Sequence, residues 1–360
     1  MAKGKTATLI DVAKYAGVSI ATVSRYLNGV RVRPELAAKV ADAVEKFDYR
    51  LNPAARLIKG QKSETIGLIL PELDHPYFAT LLEGAAGQAR ELGQSILIGS
   101  CHGKHEVEDQ IIDQFAHNIL DGLIYTPVAK SVNLIETEAF RDLPVVIAAR
   151  GPRVYPELPH VYQDTQGGGY LSTKYLLSLG HRKIAFFSSF WEPKFTERDM
   201  LEMLETPGTG VYSSLYRFSG YLKALEEFGV AYDPNLVIIC NYGFEDGKDA
   251  AKQLLSRMIE FDSIVTASDY VACGVIDILG AQGISVPNDV SVMGYGNLEL
   301  GKIIKPQLST IHQNMFELGK IAVRTLYDVI NNKEVENTLL DVELIVRDST
   351  SKKEREVYQQ

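Results

Sequence analysis

From Thr65 onward the chain alternates short apolar runs with longer amphipathic stretches, and few architectures accept that alternation. The runs are TIGLIL, SILIG, DGLIY and PVVIA, then KIAFF, LVIIC, SIVTA and DVSVMGY. Between them, apolar residues recur at helical spacing over Phe78 to Leu92, Val107 to His117, Gln166 to Leu179, Ser214 to Phe228 and Asp246 to Met258. A continuously apolar strand must be covered on both faces, which parallel sheets flanked by helices achieve. An α/β region is therefore expected. The rhythm breaks near residues 150 to 165, predicting two parallel-sheet lobes that close on a ligand at the carboxyl ends of their strands. Which strands cross between the lobes is left open by the pattern.

The charge is divided as unevenly as the hydropathy. A net charge of −9 seems to argue against nucleic acid, yet residues 1 to 62 hold 12 Lys and Arg against 5 Asp and Glu, and the remainder 25 against 41. A small basic module on a large acidic body suits a chain that meets phosphates at one end only, although a solvated basic face reads the same way. Cys101, Cys240 and Cys273 are too far apart for a disulfide framework or a zinc knuckle, as in a reducing cytoplasm. The opening MAKGKTATLIDVAKYAG has no apolar signal core, and no stretch nears the ~20 apolar residues of a membrane span. A cytoplasmic protein without a membrane partner is expected.

The basic module reads as three short helices. Leu9, Ile10, Val12, Ala13 and Ala16 form one apolar stripe, and Gly17 breaks it. Ser19 is placed to cap a second helix from Ile20 to Asn28, with Val23 and Leu27 inward and Ala21, Ser24, Arg25 and Asn28 outward. A third begins at Pro34 and carries Leu36, Val40, Val44 and Phe47 for packing beneath. Such a helix-turn-helix unit sends its second helix into the major groove. The stretch NPAARLIKG, residues 52 to 60, has helix start and stop signals but is too short to hold alone. It reads either as a tether or as a hinge helix that orders on DNA, with Leu57 or Ile58 wedged between base steps.

TLIDVAKYAGVSIATVSRYLNG, residues 8 to 29, resembles the DNA-binding signature of the lactose/galactose repressor family of bacterial transcription regulators. The likeness continues in YRLNPAARLIKGQKSETIGLILPEL, LGHRKIAFF, VPNDVSVMGY and LSTIHQNMFELG, so nearly the whole chain is covered. It implies an α/β fold class: an N-terminal all-α helix-turn-helix domain over 1–50, a hinge over 51–62, a two-lobed periplasmic-binding-protein-like sensor over 63–348 and a polar tail over 349–360. It further implies a homodimer on a near-palindromic double-stranded operator, governed by a small polar effector such as a sugar or sugar derivative.

Carried over position by position, the resemblance puts base reading at Ile20 and Ala21, both apolar here and suited to thymine methyls or to shape. Arg25 is then the polar base reader. Thr8, Ser19, Thr22, Ser24 and Asn28 match positions that hold phosphates or flank bases, Arg31 and Arg33 add backbone contacts, and Arg56, Leu57 and Ile58 form the hinge contact. In the sensor cleft it implicates Asp74, Tyr77, Phe78, Asp164, Arg217, Phe244, Ser268 and Asp269 as effector contacts, and Trp191 and Gly296 join the expected contacts from the two places where the chain departs from the family. Taken singly, Phe78 and Phe244 read rather as core aromatics and Asp269 as a helix cap. Two features depart from the family. Gly294-Tyr295-Gly296-Asn297 lacks the aspartate that often grips ligand hydroxyls, and the segment 188–216 is long, its Trp191, Glu192 and Arg198 forming either a lid or a surface excursion.

No GxxxxGK[ST], HExxH, GxSxG or CxxC pattern is present, and His102 with His105 reads as polar loop surface, so no cofactor, metal or catalytic group is expected. Two other classes share parts of the pattern. A solute-binding protein for a transporter shares the sensor fold but lacks the basic module; an α/β enzyme with a DNA-binding appendage requires a reactive pair in the cleft.

Overall fold

The computed structural model describes residues 7–27, 30–49, 62–128, 142–191, 195–206 and 212–353. Two units separate, residues 1–63 and 64–360.

The first unit holds helices α1 (Leu9–Ala16), α2 (Ile20–Leu27) and α3 (Pro34–Lys46). Thr8 and Asp11 satisfy each other's exposed N–H groups in a capping box, with Asp11 N–H on Thr8 Oγ1 at 3.3 Å and Thr8 N–H on Asp11 Oδ2 at 2.8 Å. Gly17 ends α1 at φ +63, a left-handed turn that costs glycine little. Ser19 caps α2 by accepting the Thr22 N–H at 3.1 Å. Val12, Ala13, Ala16, Val23, Val40 and Ala43 form the core, with Val44, Phe47 and Leu27 packed around it. Ile10, placed on the apolar stripe from sequence, is instead 63% exposed. Leu9 holds the i, i+3, i+4, i+7 face with Val12, Ala13 and Ala16, and Ile10 points about 100° around the helix from it.

The second unit is two six-stranded sheets. Its strands are β1 (Thr65–Leu70), β2 (Ser95–Ser100), β3 (Gly122–Tyr125), β4 (Val145–Ala148), β5 (His160–Gln163), β6 (Ile184–Ser189), β7 (Val237–Cys240), β8 (Ser263–Thr266), β9 (Ser291–Gly296), β10 (Ser309–Gln313), β11 (Thr338–Leu340) and β12 (Val342–Ile345). The helices are α4 (Pro76–Glu91), α5 (His105–Ala116), α6 (Thr165–Ser178), α7 (Glu197–Glu205), α8 (Ser213–Glu227), α9 (Phe244–Ser256), α10 (Asp269–Ala281), α11 (Leu300–Ile303) and α12 (Met315–Ile330). One sheet runs β11-β5-β4-β3-β1-β2, the other β12-β10-β9-β8-β6-β7. Only the β10–β12 pair is antiparallel among those described.

The order answers what the pattern left open. The chain passes to the second sheet after β5, returns after β10, and divides its last two strands between the sheets. Asp164 and Asn314 stand at the first two crossings, each capping the helix that follows, on Gly167 N–H at 2.7 Å and Glu317 N–H at 3.1 Å. Gln163 and Gln313, both buried, join there by a 2.7 Å bond from Gln313 Nε2 to Gln163 Oε1.

Three helix pairs meet through reciprocal glycines. A Cβ on Gly84 would stand 2.0 Å from Phe316 O and one on Gly319 2.1 Å from Leu81 O, which sets how closely α4 and α12 approach. Gly169 and Gly220 do the same for α6 and α8, and Gly247 and Gly274 for α9 and α10.

The polar tail expected over 349–360 is corrected in its first residues. Ser349 is fully buried, accepting the Ser309 N–H at 2.8 Å and donating to Val292 O at 2.6 Å. Lys353 reaches Asp262 at 3.1 Å. Serine hydroxyls supply the partners that let a polar sequence be buried, so residues 349–353 complete the second lobe.

Candidate functional site

On the first unit, α2 turns Val23 into the core and leaves Ile20, Ala21 and Arg25 exposed, with Thr22 and Ser24 half-buried beside them. Ile20 is 47% exposed, an apolar side chain left to solvent on a helix with buried positions available. Thr8 and Ser19 stand at the exposed starts of α1 and α2, where N–H groups and dipole favour an anion such as a phosphate. The expectations for Asn28, Arg56, Leu57 and Ile58 lie outside the described residues.

On the second unit a cleft opens between the lobes, with about 510 Å³ of space, part of it open to solvent. Its walls come from strand ends. His75, Tyr77 and Phe78 follow β1 and Arg150 follows β4, while Trp191, Tyr242, Ser268 and Gly296 sit at the ends of β6, β7, β8 and β9. This is where open α/β sheets gather ligands. Ser213 and Arg217 enter from α8, and Gln313 closes the floor at a crossing. Trp191 packs 4.8 Å from Tyr242 and 6.2 Å from Phe78, and a Cβ on Gly103 would strike its ring, so it touches both lobes. Arg150 likewise reaches across to Ser213 Oγ at 3.4 Å.

The protonation states follow from burial. His75 accepts the Tyr77 N–H on Nδ1 at 3.2 Å, and burial lowers its pKa to about 4, so the neutral ring carries its proton on Nε2. That Nε2 and Arg217 Nε are buried without a partner among the described residues. Arg217 spends one N–H on Ala267 O at 2.8 Å and lays its guanidinium 4.0 Å from the Tyr295 ring centre. Burial also lowers the pKa of Arg150, whose bonds go to Pro127 O and Ala149 O, each at 3.0 Å, and to Ser213.

The ten residues implicated from sequence divide. Tyr77, Phe78, Trp191, Arg217, Ser268 and Gly296 line the cleft. Asp74 and Phe244 line an outer cavity that shares His75, Trp191 and Tyr242 with it. There Glu72 is pushed up to about 7 by burial and by Asp74.

Asp164 and Asp269 are elsewhere. Asp164 caps α6. Asp269 is fully buried behind the wall, accepting Thr310 Oγ1–H and Leu298 N–H at 2.6 Å each, and burial raises its carboxyl to about 6. It shapes the wall by fixing the loop that carries Gly296 and Leu298. Asn297, in the departing motif, accepts Arg347 NH2 at 2.6 Å and faces His312 rather than the cleft.

The long segment resolves partly as a surface excursion. Thr196 and Asp199 cap α7, Met200 anchors it in the second lobe's core, and exposed Arg198 pairs with Glu202 at 3.1 Å. Glu192 lies outside the described residues.

His75, Arg150, Ser213, Tyr242, Tyr295 and Gln313 were missed. Arg150 directly follows the run PVVIAA and Tyr242 stands two residues after LVIIC, so the rule that ligands gather at strand carboxyl ends pointed to them. His105, met earlier as loop surface, begins α5 and lies against Glu108 at 3.4 Å. Among the described residues no group of three His, Cys, Asp or Glu side chains is placed to hold a metal, and no helix is long and apolar enough to cross a membrane.

Residues 8–52 match the bacterial regulatory proteins of the lacI family, and residues 63–348 match the periplasmic binding proteins and sugar binding domain of LacI family. The chain is 31% identical to an HTH-type transcriptional repressor PurR of Histophilus somni over 95% of this chain and 98% of that one. It is 28% identical to catabolite control protein A of Priestia megaterium over 93% and 96%. Among solved structures it resembles a lac repressor dimer bound to operator and the anti-inducer ONPF, at 25% identity and TM-score 0.82 over 96% of this chain and 100% of that one. A complex of transcriptional regulator CelR with cellobiose matches at 26% identity and TM-score 0.70 over 95% and 99%.

Proposed function

The chain belongs to the lacI family of bacterial regulatory proteins, a DNA-binding regulator with an effector domain, and on that footing we propose how it works. It is a repressor that acts as a homodimer, placing two copies of α2 in successive major grooves of a near-palindromic operator. Arg25 reads a base, Ile20 and Ala21 meet thymine methyls, and Thr8, Ser19, Thr22, Ser24 and Asn28 hold the backbone. Arg56, Leu57 and Ile58 form the minor-groove hinge contact. The working division is a helix-turn-helix domain to residue 50, a hinge to 62 and the effector and dimerisation domain beyond.

The effector is a small polar molecule, a sugar or sugar derivative, held between the lobes by Tyr77, Phe78, Trp191, Arg217, Ser268 and Gly296. Its differential affinity for open and closed lobes shifts the dimer between states, and a coupling of ~1–3 kcal/mol suffices. The protein binds this effector without transforming it and works in the cytoplasm. The observation that carries the DNA-reading proposal is the exposure of Ile20, Ala21 and Arg25 around a buried Val23. Genome-wide immunoprecipitation from cells tests it: sites near promoters share one palindrome and disappear for Arg25→Ala. Enrichment without a common sequence, or unchanged by Arg25→Ala, contradicts it.

A further inference from the structure

Arg150 and Arg217 are 7% and 6% exposed, belong to different lobes, and face one cleft. A buried guanidinium is ordinarily paired with a carboxylate, since an unpaired buried charge is costly. Neither has such a partner among the described residues. Arg150 bonds to two carbonyls and a serine, Arg217 to one carbonyl and a tyrosine face.

Among the described residues no Asp or Glu lines the inner cleft. Glu108, the acid whose charge Arg150 feels, already accepts the Val128 N–H at 2.7 Å and faces His105. Asp269, expected here, has both oxygens committed to Thr310 and Leu298 behind the wall. Gly296, on the same wall, brings no carboxylate. Meanwhile three unpartnered polar atoms belong to residues lining this space, His75 Nε2, Arg217 Nε and Tyr295 Oη, and each of them can donate. The site holds excess positive charge and excess donors, and a neutral polyol relieves only the second.

Resting on the effector reading above, we propose that the effector is an anion whose acid group, carboxylate or phosphate, bridges Arg150 of one lobe and Arg217 of the other. Two like charges repel across an empty cleft and join across an occupied one, so the anion itself draws the lobes together. Aromatic faces of Phe78 and Trp191 hold the remainder of the molecule, which makes a sugar acid or a sugar phosphate the fitting class.

The chain's one tryptophan, Trp191, sits in this cleft and supplies a readout that needs no knowledge of the natural effector. The experiment titrates full-length protein with inorganic phosphate, with acetate and with glucose, each to about 0.1 M at constant ionic strength made up with chloride. Trp191 fluorescence and melting temperature are followed. A saturable change with phosphate or acetate and none with glucose is the expected result, and the better anion identifies the acid group. Arg150→Gln and Arg217→Gln weaken it on the order of tenfold to hundredfold, while Arg150→Lys retains part of it.

Glu192→Gln leaves the response as in wild type. Were Glu192 the internal counter-ion, that change would instead sharpen anion binding, and the proposal would fall. It falls also if no anion gives a saturable change, if glucose gives the same one, or if both glutamine variants respond as wild type does. None of these outcomes involves DNA, so the regulator reading stands or fails separately on its binding sites.

Discussion

The two units put their function on opposite sides of their surfaces. The helical unit has a core of six buried residues and carries its candidate site outward, on Ile20, Ala21 and Arg25. The two-lobed unit has four large apolar clusters and carries its candidate site inward, lined by residues from His75 to Gln313. A small unit has little interior to spare, so its specificity sits on an exposed helix face while every inward side chain is needed for the fold. A large one can hold charged groups inside, as Arg150 and Arg217 are held here.

Perturbing each interior breaks that comparison most forcefully. Val23→Asp places a carboxylate in a core with nothing to compensate it, so operator binding falls by more than roughly a hundredfold in an anisotropy titration. The main calorimetric transition, which reports the large unit, stays within about 2 °C. A parallel fall of that transition would mean that the two units do not fold independently.

Arg25→Ala, on the surface, costs roughly 1–3 kcal/mol of operator binding and relaxes preference at one base pair, while circular dichroism of the helices is unchanged. An equal loss on all sequences would reassign Arg25 to phosphate contact.

Gly169→Ala drives a methyl to 2.1 Å from Arg217 O. Overpacking of this kind costs about 1–3 kcal/mol, and because it displaces Arg217 it also weakens effector binding. Gly87→Ala is its control, with nothing within 4 Å of the new Cβ in the same kind of helical setting. It raises stability by roughly 0.5–1 kcal/mol. Denaturant midpoints distinguish the pair, and equal shifts would deny that glycine sets the helix approach.

The smallest expected effect is on acid stability. Burial opposes the charge of Asp262, but His181 at 3.3 Å, the Arg182 and Lys183 N–H groups and Lys353 outweigh it and hold the carboxyl well below the usual carboxylate range. A depressed folded-state value means stability that is present above the unfolded pKa of about 4 and is lost as pH falls below it. Asp262→Asn should flatten melting temperature against pH below about 4, and an unchanged slope would locate the acid sensitivity elsewhere.

The same contrast explains what the sequence made legible. The helix starts at Thr8, Ser19 and Pro34 and the apolar strand runs were readable because caps and periodicities are local. Ile10 was misplaced because it sits about 100° around the helix from Leu9, off the face that Val12, Ala13 and Ala16 share. In the cleft, Tyr77, Phe78 and Arg217 came through resemblance and Trp191 through the length of its segment, but Arg150 and His75 came through neither. Their roles depend on which strands end beside which, a property of sheet order. Asp269 was misassigned because a carboxylate near a ligand site and one that props the wall look alike until both oxygens are traced to Thr310 and Leu298.

The central claim is that the exposed face of α2 reads DNA in sequence. Selection from a random duplex pool with purified full-length protein, followed by binding of the enriched duplex across several salt concentrations, tests it most directly. The account predicts a near-palindrome with half-sites about one helical turn apart, a flexible pyrimidine–purine step at its centre, and affinity that exceeds non-specific binding by roughly a thousandfold or more. A pool that stays random, with binding that only follows salt, would contradict it.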